Sequence, residues 1–393
     1  MTTHVPPTIS QFSQPGDLRV GGGALAQLPD VLKTLGLCRP LVVTDRFLLD
    51  TGPARRVMTI LESQGMAPRL FHETVPDPTT DSLKAAVAAA GEHGCDAVIG
   101  LGGGSPMDTA KAVALLVAQG GAMADYKAPV RNDGPALPVI AVPTTAGSGS
   151  EATQFTIITD SVSQEKMLCA GRSFLPAAAI VDYELTLSMP ARLTADTGID
   201  ALTHAIEAYV SKKATPLTDG LCLTAISSIG RHLRRAHADG SDAEARAAMM
   251  VAATQAGIAF SNSSVALVHG MSRPIGAHFQ VAHGLSNAML LVAVTEFSIS
   301  AATARYADCA RALGLADSGH DDGAAARRLV AGLADLCRDL QVPTPREYGI
   351  DHEAWHRLIP VMAQQALASG SPANNPRVPS AEDIEQLYTS IYC

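Results

Sequence analysis

Up to about Met189, short apolar runs alternate with longer segments of helical periodicity. DLRVGGGALAQLPDVLKTLG predicts a short strand, a glycine turn at Gly21–Gly23 and a helix. Pro40 to Thr44 reads as a buried strand that leaves into a loop at Asp45, and PARRVMTILESQG as a helix with Pro53 in its first turn. The strand RLFHETV stops at Pro76-Asp77-Pro78, and Thr79 or Thr80 caps a long helix, SLKAAVAAAGEHG. CDAVIGLGGG is a strand ending in glycines, followed by the helix SPMDTAKAVALLVAQ. LPVIAVPTTAGSGSEAT is a strand running into a Gly/Ser/Thr loop. Strands alternating with helices of this length predict parallel βαβ units, hence a doubly wound α/β domain.

From Met189 the pattern changes. No convincing strand follows, and Ala/Leu/Ile periodicity at helical spacing continues to the end, with capped starts at Ser241-Asp242 and at Ser380 before Glu382-Asp383. The prediction is two domains joined at LSMPARLT: an α/β domain over 1–189 and an all-helical domain over 190–393.

Composition narrows the classes of function. With 393 residues, 47% hydrophobic and 17% charged, the chain is long and apolar enough for two real cores. A net charge of −9 without a basic block and 4% aromatics argue against nucleic acid and anionic membranes as partners. The first residues show no positive patch followed by an apolar run, so no signal peptide is expected. Seven scattered cysteines without a C-x-x-C pair read as reduced thiols of a cytoplasmic protein.

Four stretches and Asp45 carry candidate chemistry. In LGGGSPMDTAKA, a glycine turn between strand and helix lets backbone approach a pyrophosphate at a helix N-terminus, although such a turn is also an ordinary tight connection. In PTTAGSGSE, Thr144, Thr145 and Ser148 offer hydroxyls to a nucleotide, or simply form a polar loop. Asp45, just beyond a strand, suits an adenine ribose and repels a 2′-phosphate, which favours NAD over NADP; otherwise it is a solvated loop aspartate. The strongest set lies in GIDALTHAIEAY and VHGMSRPIGAHFQVAHG. Asp200 and His204 share one helical face, and His269 and His283 follow in a glycine-punctuated apolar setting. Taken singly, each histidine is more often a packed side chain than a ligand. Together, one carboxylate and three imidazoles suit Fe²⁺ or Zn²⁺ and leave a position for a substrate oxygen or water. His278, between the last two, is either an acid/base group or a packing residue.

In GGGSPMDTAKA, PTTAGSGSEAT, DTGIDALTHAIEAYVS and HGMSRPIGAHFQVAHG, the chain resembles the iron-containing (group III) alcohol dehydrogenases over nearly its whole length. The resemblance implies that Asp200, His204, His269 and His283 hold the metal, Fe²⁺ with Zn²⁺ as the alternative. It implies that Gly102, Gly103, Gly104 and Ser105 hold the pyrophosphate of NAD(H) and that Asp45 meets the adenosine ribose. Asp108, Thr144, Thr145 and Ser148 would line the rest of the nucleotide site. Leu185 would contact the adenine, and Lys166 would stand near the cofactor. Metal and nicotinamide would meet in a cleft between the domains, in a homodimer or larger homo-oligomer acting on a small alcohol or aldehyde.

Two departures stand out. Many relatives carry a histidine four residues after the third ligand, proposed there to relay protons; here the place is Arg273. Arginine stays protonated, so it is no general acid or base, but it either holds an anionic substrate tail or ties down a helix through a salt bridge. Ala282 stands where relatives often have proline. The expected reaction is reversible hydride transfer between an alcohol and NAD⁺, with the metal lowering the alcohol's pKa. The proton would leave through ribose hydroxyls, water or His278. The alternatives are a lyase similar to 3-dehydroquinate synthase, which would use NAD only transiently, and a non-catalytic metal- or nucleotide-binding protein.

Overall fold

The fold is described from a computed structural model, over residues 11–163 and 165–393. The N-terminal arm before Gln11, including His4, lies outside the described residues. Contacts divide the chain into two compact units, Ser13–Ser188 and a second built mainly of Met189–Cys393.

The first unit is a six-stranded parallel sheet. Its strands are β1 (Asp17–Val20), β2 (Pro40–Val43), β3 (Arg69–Phe71), β4 (Ala97–Gly102), β5 (Val139–Pro143) and β8 (Ala178–Val181), in the order β1-β8-β5-β4-β2-β3. The pair β6 (Phe155–Thr159) and β7 (Lys166–Ala170) forms a separate antiparallel hairpin. The unit's helices are α1 (Leu28–Thr34), α2 (Arg46–Thr51), α3 (Pro53–Ser63), α4 (Thr80–His93) and α5 (Gly104–Gln119). Alternate residues of each strand serve opposite faces, as the pleat dictates. Val42, Ile99 and Ile140 pack with Leu28, Leu32, Val57 and Leu61 from α1 and α3. Leu41, Val98 and Val139 pack with Ala86, Ala90, Ala110 and Val113 from α4 and α5. Helices therefore cover both faces, and the expected doubly wound α/β architecture is present.

Strand order creates the unit's functional geometry. After β2 the chain runs out to β3, then returns to the other side of β2 as β4. At such a reversal the loops after β2 and β4 diverge, and a crevice opens beyond their carboxyl ends. Val43 pairs with Gly100, so Asp45 and the glycines after β4 emerge side by side there.

Several elements differ from expectation. Asp45 does not lead into a loop: its side chain accepts the Leu48 amide and starts α2. RLFHETV is ladder-paired only over Arg69–Phe71. The hairpin and β8 were not foreseen. AAIV is short, with two alanines before its two strand-favouring residues; its neighbours β1 and β5 supply the pairing. At α4 it is Thr79 that caps, reciprocally with Ser82.

The second unit comprises α6 (Ala191–Val210), α7 (Pro216–Ala238), α8 (Ala243–Asn262), α9 (Leu267–Phe279), α10 (His283–Ser298), α11 (Thr303–Ala312), α12 (Asp322–Asp339), α13 (Pro345–Tyr348), α14 (His352–Ala368) and α15 (Ala381–Ser390). No strand occurs in it among the described residues. Every residue of α6 from Gly198 to Val210 is buried, making it the helix the others pack around. One segment, His283–Ala301, is long and apolar enough to cross a membrane by composition. Half of it is buried inside the unit, where it packs on α6 and α9.

Candidate active site

On α6, Asp200, His204 and Glu207 recur at i, i+4 and i+7, a polar stripe on an otherwise apolar buried helix. A buried carboxylate or imidazole is unfavourable without partners, so such a stripe must meet polar groups from elsewhere. Those groups come from the starts of α9 and α10. Glu207 accepts from the amides of Ala266 (2.9 Å) and Val268 (2.6 Å), meeting N–H groups that the first turn of α9 would otherwise leave bare. The same carboxylate stands 2.6 Å from Nδ1 of His269. That contact orients the ring and leaves Nε2 facing Asp200.

Asp200, His204, His269 and His283 each present one ligand atom, and the four atoms lie within 4.8 Å of one another. Oδ1 of Asp200 is 3.8 Å from Nδ1 of His204, 3.5 Å from Nε2 of His269 and 3.8 Å from Nε2 of His283. These separations are too long for good direct hydrogen bonds. They are close to the edge of a tetrahedron, about 3.4 Å, drawn around an ion held at about 2.1 Å. The donor set passes the chemical test as well: three nitrogens, one hard oxygen and no thiolate suit Fe²⁺ or Zn²⁺. Asn287, one turn beyond His283 on α10, supports the same point. Its amide nitrogen lies 2.7 Å from Asp200 Oδ1, 3.1 Å from His269 Nε2 and 3.3 Å from His283 Nε2, so three of the four ligand residues converge on one neutral donor group.

The surroundings fix these side chains. His204 stacks on Phe260 at 4.2 Å and on His269 at 4.4 Å between ring centroids. A Cβ on Gly284 would fall 2.4 Å from the carbonyl oxygen of Asp196, so only glycine lets α10 come close enough to set His283 against Asp200. Burial pulls the Asp200 carboxyl towards its neutral form, but His204, His283 and His269 outweigh it and hold the carboxylate well below its ordinary range. Asp200, His204 and His269 are buried, whereas the His283 side chain is 40% exposed, so the cluster opens to its surroundings on that side.

The structure separates the two remaining candidates on α9. His278 lies nine residues after His269, half a helical rotation away. It is exposed, and its Nε2 contacts Gln365 Oε1 on α14 at 2.9 Å. It does not join the four ligands; its observed contact is with Gln365 on the outside of the helical unit. Arg273 is one turn after His269 on the same face. Its Nε is buried without a hydrogen-bond partner, and it forms no salt bridge among the described residues. The helix-tying salt bridge is therefore not found.

In the α/β unit, the glycine turn after β4 has no room for a larger side chain at Gly102. Gly102 has φ +148°, and a Cβ there would stand 2.5 Å from Pro106. Gly103 is the N-cap of α5, and Gly104 and Ser105 open the helix. The loop after β5 packs directly on them: Thr144 donates its amide to Gly102 (3.0 Å), Gly103 lies against Thr145, and Gly104 against Ser148. Ser105 accepts from the Asp77 amide at 3.3 Å. Lys166 pairs with Asp77 at 3.0 Å. Leu185 is buried in the core beside the sheet.

Asp108 is spoken for within the protein. Its oxygens accept from Ser150 (3.1 Å) and from the Ile157 amide (3.2 Å), and burial pushes its carboxyl up to about 6. Ser150 also receives Lys111 Nζ at 3.1 Å, and that fully buried ammonium further reaches Thr153 and Phe155. This Asp108–Ser150–Lys111 chain pins α5 to the loop after β5. Sequence reasoning missed Lys111, whose surroundings read simply as an apolar helix. It also missed Glu207 and Asn287; the i+7 continuation of the Asp200 stripe and the i+4 step from His283 would have found them.

Comparison with known proteins identifies the family. A family model described as iron-containing alcohol dehydrogenase matches residues 15–183, and the family's C-terminal model matches residues 194–392. The chain is 38% identical to the NAD-dependent methanol dehydrogenase of Bacillus methanolicus, over 96% of this chain and 99% of that one. A solved structure of 1,3-propanediol oxidoreductase superposes with a TM-score of 0.93 at 31% identity, covering 98% of this chain and 100% of that one. The sulfoacetaldehyde reductase of Bifidobacterium kashiwanohense, solved with NAD⁺, superposes with a TM-score of 0.87 at 28% identity, covering 98% and 99%. The chain belongs to the iron-containing alcohol dehydrogenase family. It is a metal-dependent alcohol/aldehyde oxidoreductase.

Proposed function

We propose that this chain transfers a hydride reversibly between a small alcohol and NAD⁺, with Asp200, His204, His269 and His283 holding a divalent iron beside the reacting oxygen. The convergence of those four ligand atoms on one point is the observation that carries this reading. When bound, the metal supplies Lewis acidity towards the substrate oxygen and the nicotinamide takes or gives the hydride. The protein's own part is positional. Glu207 fixes the His269 tautomer, Phe260 and His269 hold His204 by stacking, and Asn287 steadies the Asp200 carboxylate. The Gly102–Ser105 turn and Thr145 and Ser148 cradle the dinucleotide's phosphates. Asp45, anchored as the cap of α2 at the end of β2, accepts from the ribose and disfavours a 2′-phosphate. Residues 1–189 thus serve the dinucleotide and 190–393 the metal. The relatives named above act on methanol, 1,3-propanediol and sulfoacetaldehyde, so neutral and anionic small molecules both fall within the family's reach. We place the protein in the cytoplasm as a homodimer or larger homo-oligomer, without nucleic acid or membrane partners.

The test is a panel of alcohols and aldehydes assayed by NADH absorbance, with anaerobically prepared, iron-loaded protein and with NADP⁺ as a parallel cofactor. Net NADH formation from an alcohol, stronger than net NADPH formation, is expected. Substrate turnover without net NADH, as a dehydroquinate-synthase-like lyase would give, would contradict the reading.

A further inference from the structure

Arg273 is a cation on the helix that carries His269, and no ion pair to it is found among the described residues. It lies one helical turn after His269 on the same face of α9. Among the described residues, the carboxylate that acts on its guanidinium is Glu207. The oxygens of Glu207 already accept from Ala266, Val268 and His269, so no ion pair is formed. Arg273 Nε has neither exposed surface nor a hydrogen-bond partner, while the residue as a whole keeps part of its surface open. Removing a guanidinium from water is unfavourable unless an anion meets it. A planar fork with its remaining N–H groups unspent matches the two-pronged geometry of a carboxylate, sulfonate or phosphonate.

We propose that Arg273 is the anion-recognising group of the substrate site, and that the preferred substrates are short aldehydes or alcohols bearing an acidic group at the far end. The proposal rests on the hydride-transfer reading above and adds the substrate class to it.

The experiment compares aldehydes carrying a carboxylate, a sulfonate or a phosphonate, each against a neutral aldehyde of the same chain length. The proteins are wild type, Arg273→Met and Arg273→Lys, each checked for metal content and thermal unfolding. Wild type is expected to favour at least one anionic member by about 30-fold or more in kcat/KM, the range of a charge-assisted two-pronged contact. Arg273→Met should lose that preference, with a far larger loss on the anionic than on the neutral member, and Arg273→Lys should restore part of it. Calorimetric titration of the folded, metal-free protein with succinate gives a second readout, in which Arg273→Met should bind about tenfold more weakly or worse. A wild type without anionic preference, a preference that survives in Arg273→Met, or equal succinate binding by both proteins would overturn the proposal. Absence of NADH turnover with every member of the panel would instead count against the hydride-transfer reading, and the calorimetry would still decide the role of Arg273.

Discussion

The two candidate binding regions are made of different material. The metal group in the helical unit consists of side chains: four ligand atoms, a carboxylate that orients one of them and an amide that meets three. The nucleotide region in the α/β unit consists largely of backbone: a left-handed glycine, a helix N-terminus and a loop packed against it. A side-chain site concentrates its function in a few atoms, and losing one ligand leaves buried charges uncompensated. A backbone site spreads its function over many N–H groups, so it fails through shape rather than through the loss of one group.

That contrast ranks the effects of mutation. Asp200→Ala removes the only anionic ligand and leaves three imidazoles facing one another; bound metal and turnover should both fall by about 1,000-fold or more, read by metal analysis and kcat. Glu207→Gln keeps the shape but cannot accept from His269 and both amides of α9; metal affinity should weaken about 10- to 100-fold, measured by competition with a chelator. Gly102→Ala forces a Cβ to 2.5 Å from Pro106, so dinucleotide binding should weaken by about tenfold or more, while metal content stays near that of wild type. A parallel fall in metal content would erase the distinction between the regions. The smallest effect concerns Asp108, whose carboxyl is raised from 3.8 to about 6 by burial. The folded protein therefore holds that proton more tightly than the unfolded chain. Its contribution is complete below the unfolded value and is lost as pH rises through the folded one. Urea unfolding from pH 4 to 7 should show wild type losing on the order of 2 kcal/mol relative to Asp108→Asn.

The same contrast explains what could be read from the chain. Asp200 and His204 announce themselves, because two polar ligands one turn apart in an apolar helix are chemically conspicuous. The glycine turn was legible as a shape, but its standing depends on the reversal between β2 and β4, and strand order is a tertiary property. β8 escaped notice because Ala-Ala-Ile-Val becomes a strand only between two partners. His278 and Arg273 both stand between the last two ligands in the sequence. Helix phase separates them, putting one in solvent and the other beside His269. The buried Lys111 carries no local signal, because its partners come from a loop some forty residues away.

The most direct test is metal reconstitution of the wild-type chain after anaerobic stripping, with bound iron and NADH formation followed on the same samples. The expected result is one equivalent of metal per chain, with turnover rising in proportion to occupancy and returning to near zero on removal. Full turnover in the metal-free protein, or saturating metal that binds equally well to Asp200→Ala, would contradict the central claim that Asp200, His204, His269 and His283 form the catalytic metal site.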